Sequence, residues 1–388
     1  MHNLTLPAPF DRFLADLLAR KGVAAAGFST ELDHRDELFF GGVLPGYGGD
    51  LGRAGFRYFE SSLRTFDIVA QLARHLGGFE AIGPVLDFGS GWGRLTRRLV
   101  TAMSPERVWV ADLYAEAVAW QAETFGVNGV CSVTRPDRFA LPGPFSIVFS
   151  ASVFSHLPDG LFQAWLARLY ALLAPGGLLA LSVHPTDLLA PQERGDGVSL
   201  VYHRHSESRT LSPDIYGMGY TPPAYVAEAV RALRPADPPP MRAFPRGLFE
   251  NQDLYVIGGP GADLSGLALD ITPLGGVRPV GEAGGGAVRL EGWGIDFNPG
   301  SQITRVEVSQ GSRALGAATL GVAPERSLQV FPHAPNPPVG WSLTVPRAEL
   351  AEADVLRVAL HGARSERVAY AYAAAPDGAG DLADLART

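Results

Sequence analysis

The stretch "PVLDFGSGWGRLTRRLV", residues 84–100, decides the fold of this sequence. A short apolar run ends in Asp87, glycines follow at positions 89, 91 and 93, and a helical pattern begins after them. Strand, glycine-rich loop and helix in this order form the ligand-binding turn of many α/β proteins, because glycines let the backbone approach a ligand closely. The stretch therefore predicts a site for a nucleotide-like ligand.

The spacing of the glycines separates this loop from two familiar phosphate-binding motifs. A dinucleotide fingerprint reads G-x-G-x-x-G, whereas the third glycine here, Gly93, comes one position early. Asp87 also places a negative charge where a pyrophosphate would approach. No G-K-[ST] follows the loop, which excludes a P-loop.

Strand and helix patterns alternate from residue 84 to "GLLALSVH", residues 177–184. Such alternation predicts a parallel sheet covered by helices on both faces, and the nearly all-apolar strands agree with it. Two later segments, "MRAFP" and "QDLYVIG", predict a hairpin that closes the sheet. The predicted fold is α/β: a doubly wound, mostly parallel, Rossmann-like sheet with a terminal antiparallel hairpin.

The pattern changes after "GGPGADLSG" to short strands separated by Gly, Pro and Asn. This change predicts an all-β sandwich domain over residues 264–375. The remaining predicted divisions are a helical and irregular N-terminal extension (1–55), the α/β domain (56–258) and a flexible tail (376–388).

D-x-G-x-G-x-G after a strand resembles motif I of the class I S-adenosylmethionine (SAM)-dependent methyltransferases. The resemblance continues through Asp112, which lies where an acidic residue ends the second strand, and through "SVFSHLP" (152–158) and "APGGLL" (174–179). It covers about residues 56–258 and implies a methyltransferase domain that uses SAM as its cofactor.

The resemblance also implies which residues bind the cofactor. Asp87 would hold the ammonium group, Asp112 the two ribose hydroxyls, and Leu113 the adenine ring, while Asp137 would accept a hydrogen bond from the adenine amino group. The full predicted set is Asp87, Phe88, Gly89, Ser90, Gly91, Gly93, Asp112, Leu113, Asp137 and Ser150.

Two histidines are candidate catalytic residues. His156 follows the fourth strand, at the switch region where an acceptor would meet the methyl group, and a neutral imidazole there can take a proton from a hydroxyl. His156 can equally be a structural element of the turn. His203 lies in an irregular insertion (185–222) that is rich in histidine and tyrosine, and this insertion would form a wall of the acceptor site.

The acceptor class is narrowed by a missing motif. Enzymes that methylate amino groups of nucleic-acid bases often carry [ND]-P-P-[YF] after the fourth strand, where this sequence reads "SASV" (150–153). O-methylation of a small molecule or a saccharide is therefore favoured. The segment 291–316 resembles immunoglobulin-like modules attached to bacterial sugar-processing enzymes, which points in the same direction.

Composition excludes several other classes. A net charge of −8 argues against general electrostatic binding to nucleic acid. A single cysteine, Cys131, rules out a disulfide within the chain and disfavours a thiolate metal site, so no metal is predicted. The N-terminal run carries Asp11 and Asp16 without a basic start, and no apolar run is long enough for a membrane span, so we expect a cytoplasmic protein.

Two alternatives stay open at the level of sequence. One is an NAD(P)-dependent oxidoreductase, against which the glycine spacing counts. The other is a non-catalytic glycan-binding protein with a degenerate cofactor fold, against which the intact glycine loop counts. The acceptor and the oligomeric state are not determined by the sequence.

Overall fold

Two compact units make up the chain. The fold is known from a computed structural model that describes residues 2–3, 5–206, 208, 210–282, 286–322, 334–351 and 355–374. The first unit contains Gly27–Leu38 and Ser61–Leu269, and the second contains Asn3–Ala26, Phe39–Glu60 and the described residues from Asp270 onward. The predicted tail, 376–388, lies outside the described residues, and the predicted domain boundaries stay a prediction.

Helices and strands follow each other along the chain as these ranges show. The helices are α1 (Phe10–Arg20), α2 (Leu44–Gly46), α3 (Leu51–His75), α4 (Thr96–Leu99), α5 (Ala115–Phe125), α6 (Asp159–Tyr170) and α7 (Pro223–Leu233). The strands are β1 (His2–Asn3), β2 (Glu31–Leu32), β3 (Val85–Phe88), β4 (Val108–Asp112), β5 (Asn128–Cys131), β6 (Phe145–Ser150), β7 (Leu173–Val183), β8 (Val201–His203), β9 (Met218–Tyr220), β10 (Met241–Leu248), β11 (Gln252–Gly258), β12 (Leu274–Glu282), β13 (Ala287–Ile295), β14 (Ile303–Gln310), β15 (Arg313–Ala317), β16 (Thr319–Val322), β17 (Val339–Pro346), β18 (Val355–Gly362) and β19 (Val368–Ala374). Among the described residues, no helix combines the length and the apolar character that crossing a membrane would require.

A seven-stranded sheet in the order β10-β11-β7-β6-β3-β4-β5 forms the centre of the first unit. The five strands from β7 to β5 run parallel, whereas β11 pairs antiparallel with both β7 and β10. This arrangement confirms the predicted α/β fold and its terminal hairpin. Because β11 runs against β7, its first residue, Gln252, lies at the edge of the sheet where β6 and β7 end.

The core of the first unit lies on both faces of this sheet. Strand β3 is buried along its whole length, and the central strands β6 and β7 contribute fully buried residues such as Val148 and Leu179. Helix α6 covers the sheet with Phe162 and Leu169, both fully buried. Each such side chain contributes about 1.5–3 kcal/mol by burial, which stabilises the sheet that carries the ligand-binding loops.

The helix that follows the glycine loop is shorter than predicted. The pattern "RLTRRLVTAM" predicts a helix over 94–103, but regular helix is confined to α4, and the residues on either side of it form turns. Arg97 in α4 is fully buried, and its guanidinium donates to the carbonyls of Ser29 (2.7 Å) and Glu31 (3.0 Å). The N-terminal segment 27–38 is thereby fixed to the helix behind the glycine loop.

The second unit contains two four-stranded antiparallel sheets, β12-β13-β17-β16 and β15-β14-β18-β19. Both sheets contribute to one apolar core, for example through Leu290 and Val358, as the predicted sandwich requires. The N-terminal helix α1 belongs to this unit, where Phe13 stacks on Tyr372 of β19 with ring centroids 5.6 Å apart.

Candidate active site

The glycine loop connects β3 to α4 in a conformation that only glycine adopts easily. Gly89, Gly91 and Gly93 have φ angles of 75°, 53° and 74°. A Cβ atom on Gly89 would lie 2.2 Å from Cγ2 of Val153, so any side chain there would collide with the loop after β6. The loop is therefore packed tightly at its start, Gly89, whereas a Cβ on Gly91, at its centre, would have no atom within 4 Å.

Asp112, at the end of β4, turns its carboxylate toward the glycine loop. Its Oδ2 accepts the N–H of Gly91 at 2.8 Å, and its Oδ1 accepts the N–H of Tyr114 at 3.0 Å. Burial raises the pKa of this carboxyl, while the backbone N–H donors oppose the increase. The two amides fix the direction of both oxygens, which keep further lone pairs for a pair of hydroxyl donors.

Asp87, on β3, is a buried carboxyl that lacks a partner on one oxygen. Among the described residues nothing bonds to its Oδ2, and the same is true of the buried hydroxyl of Ser150 at the end of β6. Burial raises the pKa of Asp87 to about 7, and Asp112 adds to the increase while Arg94 opposes it. A buried carboxylate oxygen without a partner is costly, so this position suits a ligand that supplies a cation or a donor.

Gln121, on α5, fixes the glycine loop from behind and was not among the predicted site residues. Its amide donates to the Ser90 hydroxyl (2.9 Å) and the Gly91 carbonyl (2.8 Å) and accepts from the Thr96 hydroxyl (2.7 Å). Gln121 is fully buried. The only signal in the sequence is a polar residue within the apolar pattern of "AEAVAWQAETF".

Three predicted cofactor residues lie in different surroundings. Phe88 packs its ring on Trp165 in the core (centroids 4.7 Å apart), so only its backbone faces the loop. Leu113 leaves 36% of its surface exposed beside Asp112, where an apolar ring can cover it. Asp137 is exposed and pairs with Arg135 at 2.7 Å, which lowers its pKa; its predicted role in adenine binding stays a prediction.

His156 lies in a short turn (Phe154–His156) after β6 and is buried. Its Nδ1 lies 2.7 Å from the carbonyl oxygen of Gly217, and its ring stacks on Tyr216 with centroids 4.5 Å apart. A carbonyl oxygen only accepts hydrogen bonds, so Nδ1 carries the proton and donates it. In the neutral ring Nε2 is then the nitrogen that can accept a proton.

His203 and a histidine absent from the predicted set, His184, share one aromatic neighbour. The rings of His203 and His184 lie 5.4 Å and 5.6 Å from that of Tyr220, and His184 also meets the edge of His156 at 5.8 Å. Burial, followed by the proximity of His156, lowers the pKa of His184 to about 4. The residue that directly precedes the insertion, His184, is therefore a neutral imidazole at physiological pH.

Ser152 and Gln252 form a hydrogen-bonded network that the sequence did not reveal. Ser152 has a left-handed φ of 59°, and its N–H donates to the Ser182 hydroxyl at 2.8 Å. The Ser182 hydroxyl donates to Oε1 of Gln252 at 2.6 Å, and Nε2 of Gln252 donates to the Ser152 hydroxyl at 2.8 Å. These bonds hold a strained residue four positions before His156, as is common near functional sites.

Within the described part of the chain, no group of three or more His, Cys, Asp or Glu side chains is placed to hold a metal ion.

The polar side chains at the carboxyl edge of the sheet form two groups. Asp87 and Asp112 lie with the glycine loop, and His156, His184 and Gln252 lie beyond β6.

Comparison with known proteins gives the following similarities. Solved structures that resemble the chain include DesVI of Streptomyces venezuelae (17% identity, 59% of this chain and 99% of that chain, TM-score 0.40) and CalS10 of Micromonospora echinaspora, an amino pentose methyltransferase (18%, 52% and 91%, TM-score 0.37). A SAM-dependent methyltransferase from Clostridium acetobutylicum shows 10% identity over 52% of this chain and 92% of that one, with a TM-score of 0.37. A search of curated proteins finds no match.

A family model described as a methyltransferase domain matches residues 85–177. The matched segment begins in β3 and ends within β7, so it contains the glycine loop, Asp112 and the turn that carries His156. The partnerless oxygen of Asp87 and the fixed carboxylate of Asp112 also suit a ligand with an ammonium group and ribose hydroxyls. The domain built around residues 85–177 is therefore a class I methyltransferase domain that uses SAM.

Proposed function

We propose that the protein transfers the methyl group of SAM to a hydroxyl oxygen of a small-molecule or saccharide acceptor. The observation that carries the proposal is the hydrogen bond between Nδ1 of His156 and the Gly217 carbonyl. It assigns the proton-accepting role to Nε2, on a residue that follows β6, between the cofactor half of the sheet edge and the half that contains His184 and Gln252.

The chain's own residues supply the contacts that the cofactor needs. In this proposal Asp87 binds the ammonium group, Asp112 binds the ribose hydroxyls, and Leu113 covers the adenine ring. Of the other predicted residues, Phe88 contributes its backbone and Ser90 contributes a hydroxyl that Gln121 holds. Ser150 contributes a buried hydroxyl that has no hydrogen-bond partner among the described residues. When bound, SAM supplies an electrophilic methyl group, whose bond to sulfur breaks as its bond to oxygen forms, leaving S-adenosylhomocysteine (SAH).

His156 would take the proton that the acceptor hydroxyl loses. The ring is held on one side by Gly217 and on its face by Tyr216, so its orientation is fixed before the acceptor binds. A positioned base of this kind contributes about 10²–10⁴-fold to a rate. Alignment of the two reacting atoms supplies the other large contribution.

The surroundings of His156 suit an uncharged, hydroxyl-bearing acceptor. His184 is neutral because of its lowered pKa, and Tyr216, Tyr220 and His203 present aromatic faces and hydroxyl or imidazole groups. Aromatic faces and neutral hydrogen-bonding groups recognise sugar rings and phenols without a charged partner.

The test is SAH release by the full chain with SAM and a panel of sugars, nucleotide sugars, phenols and amines. In His156→Asn the amide nitrogen can still donate to the Gly217 carbonyl, but no atom remains at the position of Nε2. We expect turnover to fall about 10²–10⁴-fold with unchanged SAM affinity. The same substitution at the half-buried His75, whose ring contacts the Asp263 carbonyl, should have no effect.

Two results would contradict the proposal. One is an unchanged turnover in His156→Asn, which would make this residue a structural element of the turn. The other is methyl transfer to amines while every hydroxyl acceptor in the panel is refused. Binding of NADPH in place of SAM would instead support the oxidoreductase alternative, and glycan binding without turnover the non-catalytic one.

We further propose that the predicted domains at 56–258 and 264–375 carry catalysis and acceptor or glycan binding, respectively, and that the protein acts in the cytoplasm. The separate apolar cores of the two units support the first part. Limited proteolysis followed by mass spectrometry tests it, since cleavage should concentrate around residues 259–263 if the boundaries are right.

A further inference from the structure

The hydroxyl of Tyr114 connects two segments that are distant in the sequence. It lies 3.1 Å from the carboxylate of Glu37, 2.9 Å from the hydroxyl of Ser208 and 2.8 Å from that of Thr210. Glu37 precedes the whole central sheet. Ser208 and Thr210 belong to the part of the insertion (185–222) that connects β8 to β9. We call these four residues the Tyr114 clasp.

The clasp lies beside the residue proposed to bind ribose. The backbone N–H of Tyr114 donates to Oδ1 of Asp112, so the backbone of the tyrosine is fixed beside that carboxylate. Leu113, between them, is partly exposed and is the predicted contact of the adenine ring. A group held by the Tyr114 hydroxyl is therefore held at the ribose and adenine end of the cofactor site.

The same insertion also reaches the acceptor side. Gly217 donates its N–H to the backbone carbonyl of His156 at 2.9 Å, in addition to the bond with the imidazole. A Cβ on Gly217 would lie 2.6 Å from the carbonyl oxygen of His203, so this junction has no room for a side chain. The insertion is thus fixed to Tyr114 near one end and to His156 near the other.

The polar groups of the clasp are oriented before any ligand binds. The Ser208 hydroxyl accepts the backbone N–H groups of Thr210 and Leu211, each at 3.2 Å, which leaves its own proton for donation to the Tyr114 hydroxyl. Partial burial raises the pKa of Tyr114, so its phenol stays a neutral donor at physiological pH. A tyrosine that only packed its ring would not need these polar partners.

We infer that Tyr114 is a positioning residue whose hydroxyl closes the cofactor site and couples it to the acceptor wall. The inference rests on the proposed function, because it takes Asp112 as the ribose ligand and His156 as the acceptor-side residue. Cofactor exchange then requires the clasp to open, and an acceptor that stabilises the insertion raises the affinity for cofactor. By reciprocity, bound cofactor raises the affinity for the acceptor by the same factor.

The test follows SAH release from the full chain by stopped-flow fluorescence of its six tryptophans, one of which, Trp92, lies in the glycine loop. We expect Tyr114→Phe to raise the dissociation rate constant about tenfold, as for the loss of one or two hydrogen bonds. Tyr225→Phe is the matched control, because it removes a phenol that contacts the Asp159 carboxylate on helix α6. Its rate constant should stay within about twofold of the original value.

Variants of Ser208 and Thr210, which contact the Tyr114 hydroxyl, distinguish a role of the whole clasp from a role of Tyr114 alone. Thr210→Val and Ser208→Ala leave Tyr114 intact and should each raise the SAH dissociation rate. Thr210→Val combined with Tyr114→Phe should give less than the product of the two effects, since both remove the same contact.

An unchanged rate in Tyr114→Phe, or fully multiplicative effects in the double variant, would overturn the inference while leaving the proposed function in place. A folded protein that binds no SAH at all would overturn both.

Discussion

Cofactor affinity should depend on pH through Asp87. This carboxyl is buried beside the glycine loop with a pKa raised to about 7, and its Oδ2 has no partner among the described residues. Binding an ammonium group requires the carboxylate, so the fraction of protein that is ready to bind falls as the pH decreases through 7. Asp87→Asn keeps the shape of the side chain and removes this titration.

The size of the effect follows from the pKa. With a pKa of about 7, the carboxylate fraction is about 0.76 at pH 7.5 and about 0.09 at pH 6.0, so the dissociation constant for SAM should rise about eightfold between them. The ammonium group of SAM loses part of its protonation by pH 7.5, because α-amino groups titrate near 7.7–8.0, and this reduces the expected rise to about five- to sixfold. His184 does not contribute, since its pKa of about 4 keeps it neutral throughout.

Isothermal titration calorimetry at the two pH values measures this ratio. Repeating the pH 7 titration in buffers with different ionisation enthalpies also counts the protons released on binding, about one half per SAM if the pKa is near 7. Asp87→Asn should bind more weakly at pH 7.5 and show a flat profile. A wild-type profile that is flat from pH 6.0 to 7.5, or one that keeps its slope in Asp87→Asn, would refute this role of Asp87.

Three further predictions concern single residues. Asp112→Asn should weaken SAM binding about 10- to 100-fold in calorimetry, whereas Asp137→Asn, at an exposed carboxyl paired with Arg135, should weaken it less than about tenfold; equal effects would contradict this ranking. Arg97→Lys should lower the free energy of unfolding in urea by about 2 kcal/mol, because one ammonium nitrogen cannot replace Nη1, which donates to Ser29 and Glu31, together with Nε and Nη2, which donate to the carbonyls of Gly93 and Trp92; an unchanged midpoint would show that those bonds are weak. Gly89→Ala should lower the melting temperature more than Gly91→Ala, because only the first meets a neighbour, Val153 at 2.2 Å, while the second costs about 1 kcal/mol in backbone strain; the reverse order would contradict the tight packing at the start of the loop.

The raised pKa of Asp87 also affects folding of the unliganded protein. A carboxyl whose pKa is higher in the folded state than in the unfolded state adds stability below the unfolded pKa and loses it as the pH rises through the folded one. The relevant window runs from the ordinary value of 3.8 to about 7. Differential scanning calorimetry should therefore show a smaller decrease in melting temperature over this window for Asp87→Asn than for the wild type.

Local pattern explains why much of the first unit could be predicted from the sequence. The strands "PVLDF", "RVWVAD" and "FSIVFSAS" are apolar runs of strand length, and each is followed by a helix pattern or a glycine turn. The right-handed connection between parallel strands then places the ends of β3, β4 and β6 at one edge, with the glycine loop among them. The position of Asp112 follows from these local rules.

Residues brought in by long-range pairing could not be found in the same way. Gln252 reaches the site only because β11 pairs antiparallel with β7, and its partner Ser152 is 100 residues away in the chain. The sequence identifies Tyr114 only as the residue before a helix. No nearby pattern predicts the contacts of its hydroxyl with Glu37 and Thr210. These contacts depend on tertiary packing, which periodicity and turn residues do not encode.

The second unit shows a similar division. The alternating segments "ITRVEVSQG" and "VLRVALHG" predict strands that the structure contains as β14 and β18. Strands β12 and β19 were not predicted, because "LGGVRPVGE" is interrupted by glycine and proline and "VAYAYAA" by alanine. The place of helix α1 in this unit follows from aromatic contacts such as Phe13 with Tyr372, which join the two ends of the chain.

Calorimetric titration of the full chain with SAH is the most direct test of the central claim that the glycine loop and Asp112 form a SAM site. The geometry at Asp87 and Asp112 predicts saturable one-to-one binding, which SAM competes for and NADPH does not. No heat of binding from protein that circular dichroism shows to be folded, or displacement of bound SAH by NADPH, would contradict it.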